Sequence, residues 1–333
     1  MHRSYRSVLR GGALLVAAAL AGACGDTPDD TPVGPSRAAP LANETEAVIP
    51  SVNLRLVMDT ITRGMIADST HEYYAPGSTA MNRFRQAVDS VMAGKISVAD
   101  SLVGHHFYDV YRVRESTTGD TLVIFRERLA ANDTVRYGWG TYIFNPRAAV
   151  RADIHVNHPI SDQHTEDIGI ELYRDCRCRW FLVAGAERDA NPQFMVSDVA
   201  HATNTIFQAV STRLAAANVR VVSVHGFVEA GHPDLPDGVD QVISNGVGSG
   251  YGAAEPNLRG RLEDGGWEAG VFGLTADYDE LGGTTNVQGM SWRSIAGVGR
   301  WMHLEIEQNV RGSTTAWRAM NAVIQDWLAD NPL

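Results

Sequence analysis

Cysteine is scarce in this chain: three among 333 residues, at Cys24, Cys176 and Cys178. So few rule out a small fold stapled by several disulfides. Clustered cations are missing as well. The formal net charge is −11, and no block of lysine or arginine occurs beyond the first ten residues. That excludes a nucleic-acid surface, because binding phosphates needs grouped cations. The marked apolar run, GGALLVAAALAGA, is too short to cross a bilayer as a helix, and no internal repeat is present. What remains is ordinary for an acidic globular protein: 44% hydrophobic and 20% charged residues, with length for one large or two modest domains.

The amino-terminal stretch reads differently from the rest. Arg3, Arg6 and Arg10 precede the apolar run, which ends in small residues, as in a secretory signal over residues 1–23. LAGAC, ending in Cys24, resembles the lipobox of bacterial lipoproteins, with Ala21 where a large aliphatic residue usually stands and Leu20 one position early. The resemblance implies a lipid on Cys24 and a chain anchored to a membrane by that lipid alone. Residues 24–48 are rich in Pro, Asp, Thr and Ala without an apolar period, and read as a disordered tether. In DCRCRWF, a disulfide between residues two apart is strained, so Cys176 and Cys178 are expected as free thiols.

Residues 49–150 read as a small α+β section. Met81, Phe84, Ala87, Val88 and Val91 recur at helical spacing. FYDVYRVRES, TLVIFRERLA and TVRYGWGTYIF alternate with period two and are parted by turn signals, as in a three-stranded antiparallel meander. Tyr137, Trp139, Tyr142 and Phe144 alternate as a core face would. Residues 151–333 alternate strand and helix: RADIHVN, then EDIGIELYRD as a helix capped by Thr165, then WFLVAGA. A long helix capped by Ser197, VRVVSV, QVIS, WEAGVFG, MHLEIEQ and a helix over Ser313–Leu328 follow. The expected fold class is α/β, a mainly parallel or mixed sheet with helices on both faces.

In open α/β sheets, sites gather beyond the carboxyl ends of strands. RADIHVN runs into HPISDQHTED, WFLVAGA into Glu187, Arg188 and Asp189, and VRVVSV into His225. One rim would thus receive histidines, carboxylates and an arginine. A catalytic zinc takes three protein ligands and leaves a fourth position for water. His158 and His225 are the imidazole candidates, and Asp162 or Glu166 the carboxylate. Asp162 is preferred, since Glu166 at a helix start is also expected as a dipole partner. His155 and His164 are weaker candidates. Alternation puts His303, Glu305 and Glu307 on one strand face, where one glutamate would serve as general base. Asn286 and Gln288, in the glycine-bounded LGGTTNVQGM, are candidates for binding a substrate carboxylate or amide.

HPISDQHTED, FLVAGAERDAN, SDVAH, VVSVHGF, GTTNVQG and HLEIEQNVR, in that order, resemble zinc-dependent hydrolases of the exopeptidase fold. N-formylglutamate amidohydrolases are the nearest in pattern, with poly-gamma-glutamate hydrolases and zinc carboxypeptidases further away. The resemblance covers residues 138–312. It implies zinc on His158, Asp162 or Glu166, and His225, with Arg188 binding a substrate carboxylate. It makes Glu307 the base ahead of Glu305, because EIEQN resembles a strand of the amidohydrolases. The chain departs from the carboxypeptidases at Ser161, where they carry a glutamate three positions after the histidine. The expectation is a membrane-tethered hydrolase of the bacterial envelope, cleaving an amide beside a carboxylate in a peptide-like or acyl-amino-acid substrate. A binding lipoprotein without catalysis, or a scaffold using the aromatic meander as an interface, would be the alternatives.

Overall fold

A computed structural model describes residues 49–130, 133–193 and 195–333. The expected signal, tether and lipidation site at Cys24 lie outside the described residues. Among the described residues no helix is long and apolar enough to cross a membrane.

The front section begins with β1 (Ser51–Val52) and α1 (Leu54–Arg63). Asn53 caps α1 by accepting the backbone N–H groups of Arg55 and Leu56, which offsets donors that a helix start leaves unpaired. α2 (Ser78–Met92) buries Ala80, Phe84, Ala87, Val88 and Val91, the periodic face of the sequence, and α3 (Ile96–Val103) follows it. The meander forms as β2 (Tyr108–Glu115), β3 (Thr121–Glu127) and β4 (Thr141–Phe144), paired antiparallel in that order. Its third strand is shorter than the alternation suggested. The backbone N–H groups of Arg136, Tyr137, Gly138 and Trp139 turn away from any ladder and donate to the buried Glu127 carboxylate.

The second section runs β5 (Val150–Val156), α4 (Thr165–Cys176), β6 (Cys178–Val183), α5 (Ile206–Leu214), β7 (Arg220–Phe227) and β8 (Gln241–Ser244). Then come α6 (Ala254–Asp264), β9 (Ala269–Val271), α7 (Val287–Ala296), β10 (Trp301–Glu307), α8 (Gln308–Arg311) and α9 (Thr314–Asp330). All ten strands form one sheet in the order β1-β2-β3-β4-β6-β5-β7-β10-β8-β9. The centre, β6-β5-β7-β10, is parallel, while β4 and β8 join it antiparallel. The fold is therefore α/β with a mixed sheet.

Two apolar cores fill its faces. One gathers Ile154, Val156, Val222, Val224, Leu304 and Ile306 against α1, α4 and α9. The other sets Trp180, Leu182, Val221 and Trp301 against α2, α5 and the Trp292 side of α7. A fully buried side chain of this kind contributes about 1.5–3 kcal/mol. Tyr137, Trp139 and Tyr142 lie inside the second core, and Phe144 stacks on Trp180 with ring centroids 4.8 Å apart. These four aromatics of the meander are thus packed within the fold.

Three local expectations fail. Thr165 is the first residue of α4, and His164 is its cap. The long helix capped by Ser197 is α5 alone, starting at Ile206 with Thr205 as its cap. Ser197 instead donates to the Arg188 carbonyl and accepts from the Asn191 N–H, so residues 195–205 stay free as a turn. Cys176 and Cys178 are joined as a disulfide, not free. Arg177 between them adopts the left-handed conformation, φ 51°, and folds the α4–β6 junction back so that the two Cα atoms come within 5.2 Å.

Candidate metal centre

The chain leaves β5 for β6 on one side and returns with β7 on the other, so β5 marks a switch point in strand order. A crevice opens there at the carboxyl ends. HPISDQHTED starts two residues after β5. Its turn contains two left-handed residues, Ile160 (φ 68°) and His164 (φ 66°). A β-branched residue in that conformation is unusual, with a cost of about 1–3 kcal/mol that functional turns tolerate. The Asp162 N–H closes the turn on the His158 carbonyl at 3.0 Å, which brings the Asp162 side chain back beside His158.

The outcome is a cluster of His158, Asp162 and His225, all buried, whose ligand atoms lie within 4.8 Å of one another. Nδ1 of His158 is 3.3 Å and Nδ1 of His225 3.5 Å from the same oxygen, Oδ2 of Asp162. The Gly226 N–H also donates to that oxygen, at 3.2 Å. Behind the cluster, Nε2 of His158 is 3.0 Å from Asp198 Oδ1, and Nε2 of His225 is 3.1 Å from Ser223 Oγ. Each imidazole is thus held through one nitrogen, with the other turned to a common point. Two imidazoles and a carboxylate converging in a buried pocket fit a divalent metal, and the donor set suits zinc with one position open.

Electrostatics agree with a cation at that point. Burial alone would push Asp162 up, but hydrogen bonds and charge from His158 and His225 hold it far below the usual carboxylate range. Asp198 is likewise opposed by burial and held down by His158 and His201. Burial would lower His158, yet Asp162 and Asp198 outweigh it and lift its pKa to about 9. His225 falls to about 4 through burial and the neighbouring His303, against the pull of Asp162. The two carboxylates thus favour positive charge at His158.

A cavity of about 340 Å³ covers the cluster, lined also by Arg188, His201, His232, Asn286, His303 and Glu305. β10 is an interior strand between β7 and β8, so its charged face is not a solvated edge. His303 pairs in register with Ser223, and Glu305 with His225. His303 Nε2 lies 2.9 Å from Glu305 Oε1. The two glutamates of this face take different places. Glu307 ends the strand and caps α8 by accepting the Asn309 N–H, away from the cavity, whereas Glu305 lines it beside His225.

Other candidates separate in the same way. Arg188 reaches the cavity with 36% of its side chain exposed and Nη2 3.6 Å from Asp198 Oδ2. Asn286 uses its oxygen to cap α7 through the Gly289 N–H, leaving Nδ2 buried without a partner. Gln288 does not line the cavity. It is fully buried and bonded to Val199, Gln208 and Asn157. Glu166 is held by the Ile160 N–H at 3.3 Å and stays out of the cluster. His155 is packed edge-on against Phe207 in the core, where burial lowers it to about 3. His164 is half exposed at the start of α4.

Three residues escaped the sequence reading. Asp198 sits in SDVAH, hidden by the assumption of a helix; the signal was Thr205, a better cap seven residues on. Ser223 lies within the apolar run VRVVSV. Arg311, placed over Gly226, donates to the carbonyls of Ile306, Gln163 and Phe227 and ties the ends of β10 and β7 to the β5–α4 loop.

No protein-family model matches the chain, and no curated protein matches it. Among solved structures it is similar to a bacteriophage poly-gamma-glutamate hydrolase, with 13% identity, a TM-score of 0.39, and 55% of this chain and 86% of that one covered. It is also similar to an N-formylglutamate amidohydrolase from Ralstonia eutropha JMP134, with 10% identity, TM-score 0.40, and coverage of 58% and 96%. A succinylglutamate desuccinylase from Chromobacterium violaceum matches with 9% identity, TM-score 0.35, and coverage of 73% of each chain. At such identities the chemistry has to be read from the chain's own residues.

Proposed function

We propose that the chain is a zinc-dependent hydrolase that cleaves an amide bond next to a carboxylate, tethered to a bacterial membrane through lipid on Cys24. One observation carries the reading. His158, Asp162 and His225 converge at the floor of a cavity that also holds a carboxylate, Glu305, and a guanidinium, Arg188.

His158, Asp162 and His225 would hold the ion, which when bound supplies Lewis acidity to the amide carbonyl and acidity to a water. Glu305 is the catalytic base. As the water oxygen adds to the carbonyl carbon, Glu305 takes the proton. It returns that proton to the amide nitrogen as the C–N bond breaks, giving a carboxylic acid and an amine, and the acid's remaining proton passes to the amine to leave carboxylate and ammonium. His303 bonds to Oε1 of Glu305 and so fixes the plane of the carboxylate. Arg188 pairs with the substrate carboxylate through its planar fork, held in aim by Asp198. Asn286 offers its unpartnered N–H groups to a second substrate oxygen. The Cys176–Cys178 disulfide supports an oxidising compartment such as the envelope.

The test is metal content and hydrolysis of the full chain beside His225→Ala and Glu305→Gln, with N-formylglutamate and short peptides as substrates. The expected result is about one zinc per chain, absent in His225→Ala and retained in Glu305→Gln, with hydrolysis lost in the first and slowed about 10²–10⁴-fold in the second. A wild-type chain that takes up no zinc when it is offered overturns the proposal.

A further inference from the structure

We propose that Ser223, Asn157 and Gln288 form a one-way hydrogen-bond relay that fixes His225 as the tautomer able to bind metal, which makes them positioning residues for the site. The inference rests on the metal-site reading above and adds what selects the ligand nitrogen.

The relay starts at a group that can only accept. Nε2 of Gln288 is 2.7 Å from the Val199 carbonyl and 2.9 Å from Gln208 Oε1. Both contacts need a donor, so the amide nitrogen of Gln288 faces them and its oxygen faces the other way. That oxygen lies 2.7 Å from Asn157 Nδ2, which therefore donates to it. The Asn157 oxygen is then turned to Ser223 Oγ, 3.1 Å away, and takes the hydroxyl proton. A hydroxyl has one proton to give. With it committed to Asn157, Ser223 can only accept from Nε2 of His225 at 3.1 Å. His225 must carry its proton on Nε2, and its Nδ1 lone pair is left facing Asp162.

Each link is sealed from water: Asn157 is 1% exposed, and Ser223 and Gln288 are 0% exposed. No solvent is at hand to replace a lost partner or to reverse the direction, so the polarity set at Val199 is carried to His225. The anchor also serves the other imidazole. Val199 follows Asp198, whose carboxylate accepts from Nε2 of His158. A single turn thus orients both histidines with Nδ1 toward the metal point, one directly and one through three side chains.

The experiment is nitrogen-15 NMR of histidine-labelled, metal-free full chain near neutral pH, with zinc affinity by chelator competition. Wild type should show His225 protonated on Nε2 and bare on Nδ1. Ser223→Ala should lose that preference and weaken zinc about 10–100-fold, the usual effect of removing a group that orients a ligand. Ser223→Thr, which keeps the hydroxyl, should restore both, and Gln288→Met should blur the tautomer from a distance. Wild-type His225 protonated on Nδ1 overturns the relay without any variant. So does Ser223→Ala with tautomer and zinc affinity unchanged, even if zinc binds and is lost in His225→Ala, and the hydrolase reading then stands. A chain that shows the Nε2 tautomer but binds no zinc supports the relay and sinks the hydrolase instead.

Discussion

Asp162 and Glu127 are both buried carboxylates, at 7% and 2% exposure, yet their surroundings push them in opposite directions. Asp162, in the second half of the chain, is flanked by imidazoles and held far below the usual carboxylate range. Glu127, in the meander, accepts from four backbone N–H groups. Burial lifts it to about 7 even though four such bonds pull it down. Neutral dipoles satisfy the oxygens of a carboxylate without supplying a counter-charge, so desolvation wins at Glu127. Near Asp162 a proton on His158 supplies that charge. A buried carboxylate thus anchors a loop in one place and marks a cation site in the other, and the partners decide which.

The largest effect should come from removing the cation site. Asp162→Asn should abolish zinc binding beyond the roughly 10–100-fold cost of losing an orienting partner, measured by chelator competition; zinc held with wild-type affinity would end the distinction drawn here. Glu305→Gln should slow hydrolysis about 10²–10⁴-fold, the range for a general base, with zinc still bound. Glu307→Gln should leave the rate alone and cost about 1 kcal/mol as a lost helix cap, read by urea unfolding.

Glu127→Gln should leave zinc content unchanged but cost about 1–3 kcal/mol, since an amide has one oxygen for four donors. It should also change the pH dependence. The folded state holds a proton on Glu127 up to about 7, whereas the unfolded chain releases it near its ordinary value of 4.5. Wild-type stability should therefore fall as pH rises through that window, and the variant should lose this slope. The smallest signal is at His158, which is raised to about 9. Below that pH zinc must displace its proton, so binding should release about one proton and weaken as pH falls. Calorimetry in buffers of different ionisation enthalpy reads it directly. In the metal-free chain the same group adds stability below its ordinary value of 6.5, lost as pH rises through about 9.

Much of the fold could be read from local pattern. The period-two texture of FYDVYRVRES and TLVIFRERLA became β2 and β3, and the apolar runs around Ile154, Phe181 and Val222 became buried parallel strands. His158, Asp162 and His225 were legible as candidates because each follows or ends such a strand. The helices α1, α3, α6 and α7 were not read, although α1 places the buried Leu54, Met58 and Ile61 at helical spacing. Glu305 and Glu307 could not be ranked from alternation, since both fall on one face; the difference is that the strand ends at Glu307 and its carboxylate turns to cap α8.

Sequence by itself determined which segments become strands and helices, which residues of each strand share a face, and that polar side chains crowd the strand ends. Backbone sterics and side-chain period act over a few residues and need no partner. Tertiary structure decided which strands are neighbours, and with that which polar residues meet. β7 lies beside β5 and β10 beside β7, so residues more than sixty positions apart share one metal point. Asp198 and the Ser223–Asn157–Gln288 relay gain their roles only from that packing. Charge and hydrogen bonding act through a few ångströms of space, and the order of strands in a sheet, not the order of residues in a chain, sets those distances.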